Sequence, residues 1–155
     1  LLHLVFTQRK KYEGVHSGQM SFPGGKKDET DTGLTETALR ETFEEIGIEK
    51  NKIEIIGQLS ELYIPPSNFL VQPTVGFSSS IQTFLPQKNE VEKIVEIPVD
   101  FFLDARNINM QTEIKIFNGN VVRVPAYIYQ EHIIWGATAI MLSEFTFIIE
   151  KINNK

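Results

Sequence analysis

The chain has 155 residues, a formal net charge of −5, 41% hydrophobic and 23% charged residues, and no cysteine. Its length suits one domain, residues 1–155, with one core of ordinary globular composition. The composition excludes disulfides, a thiolate nucleophile and cysteine-ligated zinc; with only Arg9–Lys11 as a basic run, it argues against a nucleic-acid groove, and it offers no apolar run long enough to cross a bilayer.

"LLHLVFTQR", Leu1 to Arg9, is apolar and β-compatible and reads as a strand. The chain opens on Leu1 with no initiator Met and no secretory pattern, so its N-terminal boundary stays open and a cytoplasmic setting is the expectation. "KKYEGVHSGQMSFPGGKKDETDTG" is a polar, Gly-rich loop punctuated by Pro23-Gly24-Gly25, with a short strand at "QMSF". Leu34 to Ile46 is the best helix, with Asp31 or Thr32 expected to cap its start and Gly47 to stop it. "KIEIIGQLSELYI" reads as one or two strands ended by Pro65-Pro66. "FLVQPTVGFSSS" reads as another, interrupted by a proline. "NEVEKIVEIPVDFFLD" becomes a strand over Ile94 to Val99 and then a short helix. "EIKIFNGNVVRVPAYIYQEHIIWG" alternates about Asn118-Gly119, a hairpin signal. "GATAIMLSEFTFIIEKI" is apolar at helical spacing and is expected to pack on a sheet. The order of elements, a mixed sheet with a helix after the first strands and another at the end, predicts an α+β fold or an α/β/α sandwich.

The helix "ALRETFEEIG" crowds Glu41, Glu44 and Glu45 within about 100° of arc on a helical wheel. Like charges three and four residues apart repel by a few tenths of a kcal/mol per pair. Ala38, Leu39, Thr42, Phe43 and Ile46 lie mainly on another face, which is expected to pack on the sheet. Arg40 can pair with Glu44 or with Glu36. One arginine does not neutralise the cluster, so two readings are open. Either the carboxylates form a solvated acidic face, or they hold a cation. Carboxylates beside the free carbonyls of a Gly-rich loop are the hard oxygen donors that Mg²⁺ prefers, often shared with substrate phosphates.

"RETFEEIGI" resembles the core of the Nudix box, which runs Arg-Glu, two residues, Glu-Glu, one residue, Gly and an aliphatic. The usual box also has a Glu eight positions before the Arg. Here that place holds Thr32, and the nearest acid is Asp31. The upstream "VFTQRKKYEGVHSGQMSFPGG" is similar to the signature of the coenzyme A pyrophosphatase-like branch, with Thr7, Arg9, Gly18, Phe22, Pro23, Gly24 and Gly25 in matching places. Gly14 stands where that signature usually has a basic residue. "NEVEKIVEIPVDFFLD", with Glu90-Val91, and "IIWGATAIML" also look like segments of this branch. The resemblance covers nearly the whole chain.

The resemblance implies a Nudix-type α/β/α sandwich with a mixed β-sheet. It implies Glu41, Glu44 and Glu45 as ligands of Mg²⁺ or Mn²⁺, with the Gly25 carbonyl as a backbone ligand and Arg40 orienting the glutamates. Glu90 is an extra ligand, a general base or a surface residue. Arg9, with Lys10 and Lys11 less specific, is a candidate for substrate phosphates. His16 and Phe22 are candidates for substrate contact. Trp135, placed at the start of the last helix, is a stacking or core residue. Tyr63, Phe69, Tyr127 and Tyr129 are open candidates for a pocket wall.

The implied function is metal-dependent hydrolysis of a diphosphate linkage in a small nucleotide. The expected substrate is coenzyme A or acyl-CoA, giving 3′,5′-ADP and 4′-phosphopantetheine or its acyl form. The alternatives are a pyrophosphatase for ADP-ribose, dinucleotides or other nucleoside diphosphate derivatives, and a non-catalytic nucleotide sensor. No membrane or nucleic-acid partner is expected; a homodimer is compatible with the sequence, and the closing "KINNK" shows no peroxisomal Ser-Lys-Leu tail.

Overall fold

The computed structural model describes residues 1–14, 16–79 and 83–153. The first sheet is built around β1 (His3–Arg9), which lies between β2 (Met20–Ser21) and β7 (Val91–Pro98), antiparallel to both. Phe6 sits opposite Val95 and Thr7 opposite Ile94. The fully buried Thr7 hydroxyl reaches the Ser21 hydroxyl at 3.3 Å and donates to the Ser21 carbonyl at 3.4 Å, tying β2 to the strand. The register slips between Gln8 and Arg9, so Arg9 faces Val91. Such a bulge turns the strand end and re-aims its last side chain.

The second sheet has the order β10-β9-β8, from β8 (Ile108–Lys115), β9 (Val121–Tyr129) and β10 (His132–Trp135). Two antiparallel ribbons complete the strands. One pairs β3 (Glu54–Gln58) with β6 (Thr74–Phe77), the other β4 (Leu62–Ile64) with β5 (Phe69–Val71). The helices are α1 (Leu34–Ile46), α2 (Val99–Leu103) and α3 (Gly136–Asn153).

The core forms where the two sheets meet α2 and α3. Phe6, Val95 and Ile97 from the first sheet pack with Tyr127 and Ile134 from the second, Phe102 from α2 and Leu142 from α3. Each such side chain contributes about 1.5–3 kcal/mol through burial. Aromatic rings knit the layer: Phe6 stacks on Phe22 at 4.8 Å, and Phe102 meets the edge of Tyr127 at 5.2 Å.

The expected α+β class holds. Every strand pair registered among the described residues is antiparallel, so these pairs carry no parallel component of the expected mixed sheet. Helix α1 matches its expected bounds, and Gly47 ends it at φ 78° with its N–H on the Phe43 carbonyl at 2.9 Å. The start differs from expectation. Gly33 is the cap residue and supplies no side chain. Asp31 does not cap the helix because its carboxylate is bonded elsewhere, as described below. The buried face of α1 differs too: Phe43 is 53% exposed, whereas Thr37, Glu45 and Ile46 are buried.

The proline-interrupted stretch is two strands, β5 and β6, divided at Gln72-Pro73 because proline has no N–H for a ladder. Ser80, at the end of that stretch, lies outside the described residues. Strand β7 starts at Val91, three residues before the expected Ile94. The Asn118-Gly119 hairpin is present, with Gly119 at φ 85°. A second hairpin follows at Gln130, held at φ 53°, and no glycine or proline signals it. Trp135 therefore ends β10 rather than starting α3. Among the described residues no helix is long and apolar enough to cross a membrane.

Candidate active site

The centre of the site is Arg40, nearly two turns into α1. Its guanidinium is fully engaged. Nε donates to Asp31 Oδ1 and Nη2 to Asp31 Oδ2, each at 3.0 Å. Nη1 donates to Glu41 Oε1 at 2.8 Å and to both oxygens of Glu44 at 3.3 Å. Nη2 also donates to the Lys26 carbonyl at 3.0 Å. The expected alternative partner, Glu36, instead pairs with Lys50 at 3.0 Å. A planar fork bound on both prongs fixes rotation as well as distance.

Asp31 is the residue that sequence reasoning underused. It is 6% exposed and takes four donors. Beyond the two from Arg40, the Asp28 N–H and the Thr37 hydroxyl reach Oδ2, each at 2.9 Å. These bonds to the charged form, the Arg40 pair first, hold its carboxyl well below the usual range. The available signal was an acid nine residues before Arg40, next to the place where the box normally has its glutamate.

The three clustered glutamates have three different environments. Glu44 is half exposed and lies against Arg40. Glu41 is mostly covered, and a Cβ on Gly25 would collide with its carboxyl carbon and both oxygens. Only a glycine lets the loop backbone come this close. Glu45 is 6% exposed and takes one weak bond, from the Gly24 N–H at 3.4 Å. Burial pushes its pKa up to about 7. The Arg9 charge and the Gly24 bond act against this rise, while the charges of Glu41 and Glu90 add to it.

That electrostatic set locates two further candidates. Arg9, at the bulged end of β1, and Glu90, in the turn before β7, both act on Glu45 through their charges. The Lys10 N–H donates to the Glu90 carbonyl at 3.0 Å, which ties the two segments together. The structure thus brings Gly25, Arg40, Glu41, Glu44, Glu45, Arg9 and Glu90 into one neighbourhood. His16 lies in the loop after β1 with Nδ1 at 3.1 Å from Gln19 Oε1. Phe22 stacks on Phe6 at the margin of the core. Tyr127 is a core residue, Tyr129 meets the edge of Phe101 at 4.9 Å, and the exposed Tyr63 bonds Asn68 at 2.9 Å.

Among the described residues, no three acidic or imidazole side chains are already gathered as a ligand set. The donor chemistry nevertheless fits a hard divalent cation. Glu45 is a buried carboxylate beside a second carboxylate, with a glycine backbone pressed against that second one. A cation there would offset the desolvation that raises the Glu45 pKa.

The NUDIX domain family model matches residues 3–110. Nudix hydrolase NudL of Photorhabdus laumondii is 35% identical over 141 residues, 91% of this chain and 74% of that protein. The peroxisomal coenzyme A diphosphatase NUDT7 of Mus musculus is 38% identical over 102 residues, 66% of this chain and 43% of that protein. A crystal structure of a Caenorhabditis elegans Ap4A hydrolase binary complex shares the fold, with a TM-score of 0.54 at 16% identity, covering 63% of this chain and 70% of that one.

Proposed function

The chain belongs to the NUDIX domain family and is a Nudix hydrolase of diphosphate linkages, and on that footing we propose that its substrate is coenzyme A or an acyl-CoA. The products are 3′,5′-ADP and 4′-phosphopantetheine or its acyl form. One observation carries the catalytic half of this reading: the buried Glu45 lies within charge range of Glu41, which presses on the Gly25 backbone. The substrate half is supported by similarity to the mouse coenzyme A diphosphatase.

Glu41, Glu44, Glu45 and the Gly25 carbonyl would hold Mg²⁺ or Mn²⁺. Such a cation supplies charge against the diphosphate and lowers the pKa of a water molecule. Arg40 holds Glu41 and Glu44 in fixed rotamers, itself fixed by Asp31. Arg9 presents positive charge to the substrate phosphates. Glu90 accepts the proton of the attacking water. The water oxygen bonds to one phosphorus as the bridging oxygen leaves with the other phosphate. His16, in the loop before β2, and Phe22, just after it, are candidates for substrate contact on either side of that short strand. A cytoplasmic setting and a homodimeric state belong to the same proposal, and fractionation and light scattering check them.

The test is hydrolysis of coenzyme A, ADP-ribose and a dinucleotide with Mg²⁺, with Mn²⁺ and with chelator, in the wild type and Glu44→Gln. Metal-dependent release of 3′,5′-ADP that the variant loses is the expected result. Turnover of ADP-ribose with coenzyme A untouched would remove the substrate assignment while keeping the metal site. Binding without turnover of any of the three would favour a sensor.

A further inference from the structure

Thr37 is a buried polar side chain, 4% exposed, on the helix that carries the carboxylates. On a helical wheel Thr37, Arg40, Glu41 and Glu44 share about 100° of arc. A buried hydroxyl needs a partner, and it has one proton to donate. Thr42, in the same helix, donates in the usual helical way, to the carbonyl four residues back, Ala38, at 2.7 Å. For Thr37 the contact with the carbonyl four residues back, Gly33, is longer, 3.2 Å. Its shorter contact, 2.9 Å, goes to Asp31 Oδ2. A charged acceptor makes the stronger bond and draws the proton off the helix.

This bond differs in kind from the other three on Asp31. Two of those come from the far end of the long Arg40 side chain, and one from the Asp28 N–H in the same loop as Asp31. The Thr37 hydroxyl stands one bond from a Cβ on the helix, and a β-branched side chain is stiff about that bond. Of the four donors it is therefore the one that ties Asp31 to the body of α1. Asp31 grips Arg40 on one side, and Arg40 Nη1 grips Glu41 and Glu44 on the other.

We propose that Thr37 is a positioning residue for the hydrolysis: its hydroxyl sets the Asp31 carboxylate, Asp31 sets the Arg40 guanidinium, and Arg40 sets the two glutamates. This rests on the reading of Glu41 and Glu44 as metal ligands. Thr37 acts on how firmly the metal is held and not on nucleotide affinity.

The experiment uses Thr37→Val, which keeps the shape and removes the proton, and Thr37→Ser, which keeps the hydroxyl. Each is made alone and with Asp31→Asn. Hydrogen exchange at the Arg40 Nε–H is followed by NMR in chelator. The Mg²⁺ half-saturation point for turnover of coenzyme A, or of ADP-ribose if that is the compound hydrolysed, is measured with KM and melting temperature. Thr37→Val speeds exchange at Arg40 and raises the Mg²⁺ half-saturation point about ten-fold, the lower end of the range for groups behind metal ligands. KM at saturating Mg²⁺ stays unchanged, and Thr37→Ser keeps wild-type values throughout. In the Asp31→Asn background Thr37→Val shifts neither exchange nor the Mg²⁺ response, because the two residues act in one chain. If Thr37→Val does not fold, Thr37→Ala carries the same expectations. A lower melting temperature with exchange and Mg²⁺ response unchanged overturns the proposal, as does full additivity with Asp31→Asn. A wild type that hydrolyses no diphosphate compound sinks the metal-site reading instead, and exchange at Arg40 then decides alone whether Thr37 holds the guanidinium.

Discussion

Arg40 and Asp31 are joined by two parallel N–H···O bonds of 3.0 Å each, and this fork decides where the third guanidinium nitrogen can point. With Nε and Nη2 committed to Asp31, Nη1 is left to face Glu41 and Glu44. The acid that departs from the usual box position thus sets the orientation of the box carboxylates.

Asp31→Asn keeps the shape but removes the charge and one acceptor. Activity is expected to fall about 10–100-fold, the usual range for losing a group that orients metal ligands. The same variant separates the pH response. The Asp31 pKa is lowered in the fold, so its stabilisation is present above the unfolded value of 3.8 and is lost as pH falls below it. Melting temperature should therefore drop less between pH 5 and pH 3 in Asp31→Asn than in the wild type. Equal drops would mean that the fork does not stabilise the fold.

Glu45 has the opposite sign. Its pKa is raised from 4.5 to about 7 in the folded chain, so the unfolded chain releases the proton first. Its contribution is greatest below pH 4.5 and is lost as pH rises to 7. In chelator, wild-type stability should decline across that window and Glu45→Gln should decline less. Excess Mg²⁺ should reverse the wild-type trend near neutral pH, because binding selects the carboxylate. An identical slope in the two proteins would show that Glu45 does not titrate there.

Gly25→Ala places a methyl group where the Glu41 carboxylate now sits. A displacement on the order of 1 Å at such a centre can cost about 100-fold in rate. Turnover is expected to fall by at least ten-fold with the melting temperature little changed, because Gly25 needs no positive φ. Full activity in Gly25→Ala would exclude a tight loop–glutamate contact.

Leu142→Ala tests the anchoring of α3. The side chain is fully buried in the core cluster, so its loss should cost about 2–5 kcal/mol in denaturant unfolding. Ile140, two residues earlier and 56% exposed, should cost less than about 0.5 kcal/mol on the same change. Similar costs at both positions would contradict the helix orientation.

Much of this was legible in the chain. Helix α1 and its glycine stop follow from periodicity and one αL residue, and the Asn118-Gly119 hairpin follows from turn chemistry. The turn at Gln130 was not legible, because tertiary pairing forces a non-glycine residue to positive φ. The wheel put Phe43 inward on hydrophobicity and left Glu45 on the acidic edge. The fold does the reverse, exposing Phe43 and burying Glu45. Asp31 was visible as an acid near a cap position. Its bond to Arg40 depends on the path of the intervening loop, which no local pattern encodes.

One long-range bond bears on how the molecule is made. The Thr138 hydroxyl donates to the Met20 carbonyl at 3.1 Å, across 118 residues of chain. Phe6 likewise finds Ile134 and Leu142 in the same cluster. The strands that carry the site loop are thus early in sequence but are completed by segments made more than 100 residues later. At about 5–20 residues per second, the N-terminal sheet waits seconds for its last partners, with Phe6 and Met20 only partly covered. A chain stalled before residue 134 would hold every proposed catalytic side chain and still lack the surface against which they are set.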